Sequence, residues 1–298
     1  MPVRIATAPV SWGIMEVEGW ARQKTYGEVL DEMVQAGYAG TELGPYGFLP
    51  TDPATLKAEL NKRNLTLLGA FVPLPLGHRS RHPEAMRSAM EVARLLAAGG
   101  APYLVLADEM NPRRMDIAGS AKPEDGFDQS QWEGAADIVT AIAKEAKQLG
   151  LRSAFHHHAG TFIETPEELQ RLLDLTDPSL LGVCFDTGHY LYGGGDPVAF
   201  ARMHASRTWH LHLKDVRPTV LADVRRHKVA YLDAIRRGVF CELGQGAVDI
   251  AAVIRELNQG GFDGWAVFEQ DVDPTIPGTN PMASAARSRE YLRRVAGV

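Results

Sequence analysis

Along the chain, short runs of apolar and β-branched residues alternate with longer stretches whose apolar positions recur at helical spacing. The short runs predict strands at Arg4–Val10, Gly40–Gly44, Leu65–Val72, Tyr103–Ala107, Arg152–His156, Leu181–Asp186, Thr208–Leu213 and Trp265–Glu269. Helices are predicted between them. The first starts at Thr25, with Glu28 placed for a capping box. The second starts at Asp52, with Pro53 at the first helical position, where a missing N–H costs nothing. HPEAMRSAMEVARLLAAGG follows and ends on Gly99 and Gly100, as a helix C-terminus prefers. QSQWEGAADIVTAIAKEAKQLG, TPEELQRLLDL, DPVAFARMHAS, AVDIAAVIRELNQGG and ASAARSREYLRRV complete the set.

Strict alternation of strand and helix demands parallel strands joined by right-handed crossovers. Eight such repeats predict a closed (β/α)8 TIM barrel in the α/β class, as one domain over residues 1–298. An open doubly wound sheet is the rival, but the Gly-rich phosphate fingerprint it needs after the first strand is missing. The glycines at 193–195 precede Asp196 and Pro197 and read as a helix-entry turn. Two loops exceed what a barrel needs, at about 108–131 and 216–246, and the second carries its own short helix near His227 to Arg237. Both follow strand C-termini, the face where barrel enzymes place substrate.

Composition narrows the class. The 298 residues are 45% hydrophobic, enough for a sizeable core, and carry a net charge of −6, which argues against nucleic acid as a partner. The basic clusters Arg225, Arg226, Lys228 and Arg236, Arg237 read as solvated faces. Cys184 and Cys241 give no disulfide framework and point to a reducing compartment. The N-terminal MPVRIATAPVSWG has no signal-peptide core and no run is long enough to span a membrane, so the expectation is a cytoplasmic protein.

The chemistry gathers at strand ends. In HLHLKD, His210 and His212 share one face of the strand and Asp215 lies past its end. CFDTGH offers Asp186 and His189, WAVFEQD offers Glu269 and Asp271, and SAFHHHAGT offers His156, His157 and His158. His156, Asp186, His212 and Glu269 close four neighbouring strands. Such a mixed nitrogen and oxygen set suits a divalent ion: manganese or cobalt foremost, with zinc, iron or magnesium as alternatives. His158 shares a face with His156, and His157 points away. Glu42, ending the second strand across the mouth, is a candidate acid or base beside Glu269, His158 and His189; a satisfied structural carboxylate is the competing reading. Trp12 is a candidate wall for a sugar ring, or core. Lys214 and Arg217 are candidates to hold substrate oxygens, with Glu242 a weaker catalytic candidate.

APVSW, GTELG, HHHAGTFIETPEEL, CFDTGH, HLHLKDVRP and FEQD together resemble the xylose-isomerase-like sugar isomerase/epimerase superfamily of metal-dependent TIM barrels, over the whole chain. Within it, HLHLKDVRP followed by YLDAIRRGVF is similar to the inosose dehydratase subgroup. The resemblance places metal ligands on Asp186, His212 and Glu269 and sets His189 near substrate oxygens. It departs at His156, where the superfamily has a glutamate, so that either His156 or His158 takes the fourth position. Isomerases and epimerases of the superfamily use two metal-bound glutamates as bases, and losing one disfavours their chemistry here. The implied activity is metal-assisted dehydration of a keto-polyol such as inosose: removal of a proton alpha to the carbonyl, then loss of a hydroxyl. Alternatives are an isomerase or epimerase of a ketose or keto-inositol, and a lyase acting on 3-keto-glycosides. A DNA-repair endonuclease of similar barrel would need a larger zinc ligand set than this chain offers, and a non-catalytic carbohydrate-binding module would not need four converging ligands. The implied partners are a small keto-polyol, neither nucleic acid nor membrane, and further copies of the chain as a homodimer or homotetramer.

Overall fold

Proline decides where the first strand stops. In the computed structural model, which describes residues 4–17, 20 and 24–297, β1 covers Arg4–Thr7 rather than reaching Val10. Pro9 has no N–H for the ladder and opens a 3-10 turn, Pro9–Trp12. Then come β2 (Gly40–Thr41), β3 (Thr66–Leu67), β4 (Phe71–Leu74), β5 (Tyr103–Asp108), β6 (Arg152–His156), β7 (Leu181–Asp186) and β8 (Thr208–Leu213). A short antiparallel pair, β9 (Asp215–Val216) and β10 (Phe240–Cys241), precedes β11 (Trp265–Phe268). The sheet is parallel, in the order β3-β2-β1-β11-β8-β7-β6-β5-β4.

The strand predicted at Leu65–Val72 is one stave in two pieces, and it closes the ring. Leu68, between β3 and β4, donates its N–H to Thr41 O at 2.9 Å on one side and accepts from Tyr103 N at 3.1 Å on the other. Gly69 allows this kink, since a Cβ there would lie 3.1 Å from the Tyr103 carbonyl. The result is a closed (β/α)8 barrel.

Eight outer helices follow the eight staves: α1 (Tyr26–Gln35), α2 (Pro53–Asn61), α3 (His82–Gly99), α5 (Gln129–Gln148), α6 (Pro166–Asp174), α8 (Pro197–His204), α11 (Ile250–Gln259) and α12 (Pro281–Ala296). Their ends obey local chemistry. Thr25 and Glu28 form the capping box of α1, Asp52 caps α2, and Gly100 takes the left-handed C-cap of α3 at φ 82°. Four more helices, α4 (Pro112–Asp116), α7 (Thr187–Tyr192), α9 (Pro218–His227) and α10 (Tyr231–Arg236), sit in the loops at the strand C-termini. The short helix expected near His227 to Arg237 is α10, and α9 before it is an addition that ends where Lys228 turns left-handed at φ 51°.

Period-two alternation sorts the staves into two faces. Leu104, Phe155, Phe185, Leu211 and Phe268 point out and join the helices in the main core. The opposite parity gives a small interior, with Tyr103, Val105, Ala154 and Cys184 in one cluster and Ala6, Leu68 and Val267 in another. His156, Asp186, His212 and Glu269 share that inward parity, so the barrel interior turns polar toward its C-terminal mouth. Both cysteines are buried free thiols. The basic clusters do more than meet solvent: Arg225 donates to the Gly119, Leu191 and Tyr192 carbonyls and ties the two long loops together. Among the described residues, no helix is long and apolar enough to cross a membrane.

Candidate active site and metal centre

Four strand ends converge as their parity requires. One ligand atom from each of His156, Asp186, His212 and Glu269 lies within 4.8 Å of the other three, and all four side chains are buried. Register explains the convergence. Asp186 pairs with His212 across β7 and β8, and His156 pairs with Cys184 one inward position earlier on β7. His212 Nδ1 faces Glu269 Oε2 at 3.2 Å and Asp186 Oδ2 at 3.9 Å, and His156 Nε2 lies 3.6 Å from the same Asp186 oxygen.

Asp186 divides its two oxygens between tasks. Oδ1 accepts from His189 N at 2.8 Å and caps α7. Oδ2 is buried without a hydrogen-bond partner, as is Nδ1 of His212. Unpaired polar atoms are costly in a protein interior unless something binds them. Two carboxylates and two imidazoles with such atoms turned to one point fit a divalent cation. Cys184 also lies near His156 and His212, but burial pushes its thiol up to about 12, and it remains a core residue.

Behind this set lies a second layer. Glu42 is buried, and its Oε1 accepts from His210 Nε2 at 2.6 Å and His212 Nε2 at 2.9 Å. With Nε2 donating to Glu42, His212 turns Nδ1 toward the ligand cluster, where a bound cation would take the place of a proton on that nitrogen. The candidate acid or base across the mouth is therefore engaged in holding a ligand in its tautomer. Burial works to raise the Glu42 carboxyl, but His212 and His210 hold it well below the usual range. For Glu269, burial acts upward and is outweighed by His212 and Lys214, which bring it to about 2.

Lys214 is the hub. Its Nζ is buried 3.3 Å from Asp186 Oδ2, 3.1 Å from Glu269 Oε2 and 2.8 Å from Asp271 Oδ1, and it donates to His189 Nε2 at 2.9 Å. Burial would discharge it, yet Asp186, Asp271 and Glu269 keep it an ammonium. Gly188 makes room, because a Cβ there would meet Lys214 Cγ at 2.6 Å. Asp271 also accepts from Tyr231, delivered by α10, at 2.8 Å. His158 donates its Nδ1–H to the Ala159 carbonyl at 2.7 Å, leaving Nε2 as an acceptor, and its ring packs on His189 at 3.9 Å between centroids. Burial, then the neighbouring His156, lower His158 to about 3, so it is neutral. His157 points away, as its parity predicts, with Nε2 accepting from Asp186 N.

Above the cluster opens a small cavity of about 60 Å³ that widens into the barrel mouth. His158, Lys214 and Glu269 line it, with Phe71, Ile14 and Met110 among its apolar walls. Three sequence candidates fall elsewhere. Trp12 is buried in the core, its indole donating to Glu32 at 2.7 Å, and it does not line this cavity. Arg217 donates to Gly238 O at 2.6 Å on a separate cleft. Glu242 is bound by Arg287 and Ser284. His189 is fully buried beneath His158 rather than on the cavity wall. Sequence reasoning passed over Glu16, which lines the cavity from the loop after β1 in a segment without helical or strand period.

A closed barrel whose C-terminal mouth gathers a mixed imidazole and carboxylate set defines the class of metal-site (β/α)8 enzymes. The chain belongs to the xylose isomerase-like TIM barrel family, whose profile matches residues 30–295. It is 35% identical to the inosose dehydratase of Geobacillus kaustophilus (strain HTA426), over 99% of this chain and 95% of that one. In fold it is similar to the IOLI protein solved with a binding zinc atom, at a TM-score of 0.73 and 14% identity over 99% of this chain and 98% of that one. The probable 3-DHS dehydratase AsbF of Bacillus anthracis gives a TM-score of 0.71 at 17% identity, over 97% of this chain and 98% of that one.

Proposed function

We propose that this chain is a metal-dependent hydro-lyase that removes water from inosose (2-keto-myo-inositol) or a closely related keto-cyclitol. The observation that carries the reading is the convergence of His156, Asp186, His212 and Glu269 within 4.8 Å at the base of the cavity. The 35% identical inosose dehydratase supports the substrate. A divalent cation, manganese or cobalt foremost, would be held by these four residues and supplies Lewis acidity to a ketone and its neighbouring hydroxyl.

The chain's own groups do the rest. His158 takes the α-proton on Nε2, the nitrogen whose lone pair is left free by the Nδ1 bond to Ala159. Lys214 places its ammonium where negative charge gathers on the carbonyl oxygen. His189 receives a hydrogen bond from Lys214 and packs under His158, so it positions both. Glu42 orients His212. Phe71, Ile14 and Met110 supply apolar wall that limits water around the enolate. With His156 at the superfamily's glutamate position, Glu269 is the one glutamate in the ligand set, which favours elimination over the two-base chemistry of epimerases.

Purified protein with manganese or cobalt is expected to convert inosose to an ultraviolet-absorbing diketone. Chelation with EDTA should abolish turnover, and Glu269→Gln should remove most of it. Epimerised or isomerised product without water loss would overturn the reading.

A further inference from the structure

Dehydration needs an acid as well as a base, and the carboxyls already described are committed. Glu42 is bound by two histidines. Glu269 is an anion among the ligands. Asp271 has Lys214 at one oxygen and Tyr231 at the other. Glu16 differs from all three. It lines the same cavity, and among the described residues its carboxyl accepts only from its own amide. It is exposed to solvent and stands on the cavity wall.

Its placement is set by the fold. Glu16 leaves the loop after β1, and β1 lies beside β11 in the ring. His158 follows β6, on the far side of β7, β8 and β11. The two groups therefore enter the cavity from different walls, above the arc that carries the ligands. A β-elimination removes a proton from one carbon and a hydroxyl from the next, which calls for separated proton-handling groups.

We propose that Glu16 is the general acid that protonates the departing hydroxyl. This rests on the dehydratase reading and names the second proton-handling group of that site. In the step, the enolate electrons re-form the carbonyl and a C=C bond, and the β C–O bond breaks. The oxygen leaves with the bonding pair, takes the Glu16 proton and departs as water. Glu16 remains as carboxylate and regains a proton from solvent, while the base gives the α-proton up to solvent. The enol left at the α-carbon relaxes to the diketone, with no oxidant or reductant required. In support, loss of solvent on the cavity wall, and then the charges of Glu269, Glu42 and Asp271, push the Glu16 carboxyl up, which favours its acid form.

The test separates the two proton transfers. Wild type and Glu16→Gln, both manganese-loaded, are incubated with inosose in D2O. NMR follows deuterium entry at the α-carbon, and absorbance follows the diketone. Expected is α-exchange within a few-fold of wild type in Glu16→Gln, with diketone formation down by about 10²-fold or more. Diketone formation within a few-fold of wild type would overturn the assignment, as would equal loss of exchange and dehydration. A wild-type protein that makes no diketone would instead sink the dehydratase reading itself. The variant is isosteric and breaks no bond to another described residue, so its fold is expected to persist.

Discussion

Two sets of buried carboxylates meet the loops of this barrel, and they are satisfied in opposite ways. In the clamps, both oxygens of each carboxylate accept hydrogen bonds. Asp215 collects the N–H groups of Val216, Gly244, Gly246 and Val248. Glu164 accepts from Gly119 and Gly160 at 2.7 Å each, joining the first long loop to the segment after His158. Glu168 takes a bidentate pair from the fully buried Arg114, at 2.8 and 3.0 Å. At the barrel mouth, Asp186 Oδ2 and His212 Nδ1 have no hydrogen-bond partner, and the nearby positive charge comes from Lys214. Equal burial thus serves two ends. The first set holds loops in place; the second keeps donor atoms free for a cation and a substrate.

The sharpest way to break this contrast is Asp186→Asn. The amide oxygen still caps α7, so the melting temperature should move little, while the charge and the anionic donor are lost. Turnover of inosose should fall by roughly 10³-fold or more, since several kcal/mol of Lewis-acid stabilisation goes with the cation. Retained activity would place the metal elsewhere. Next is Arg114→Met, which strands Glu168 in the interior. Chemical denaturation should show a loss of about 3–5 kcal/mol, the cost of breaking a buried pair from one side. A loss below about 1 kcal/mol would mean that the clamp carries no stability.

A smaller effect is expected from Glu42→Gln, which leaves all four ligands in place and disturbs the bonds from His210 and His212, the second of which sets the His212 tautomer. Metal affinity by titration should weaken by about 10–100-fold. The smallest concerns Glu164. Burial pushes its carboxyl from 4.5 to about 7, against the two N–H bonds that favour the anion. Between these values the folded state binds more protons than the unfolded one, so stability falls as pH rises through this window. The slope cannot exceed about 1.36 kcal/mol per pH unit for one group. Glu164→Gln should flatten it, and an unchanged slope between wild type and variant would refute the assignment.

Much of the site was legible because strand parity is a local property. Once Arg152–His156, Leu181–Asp186 and Thr208–Leu213 read as strands, the inward side of His156, Asp186 and His212 followed. What local pattern left open was whatever depends on distant partners. Glu42 reads as either an acid–base group or a structural carboxylate, and only the fold shows that His210 and His212, some 170 residues on, bind its oxygen. Trp12 looks like a sugar platform until Glu32 binds its indole. Arg217 follows the ligand strand closely, yet the β9 and β10 pairing aims it at Gly238 instead of the cavity.

By itself the sequence determined the alternation of staves and helices, their caps, and which strand-end residues face inward, because periodicity, capping and turn chemistry act over a few residues. Only the tertiary structure decided that the third stave closes the ring through Leu68, that Lys214 sits among three carboxylates, and that Glu16 reaches the same cavity as Glu269. Those outcomes depend on distances between residues far apart in the chain, which close packing fixes and local pattern does not encode.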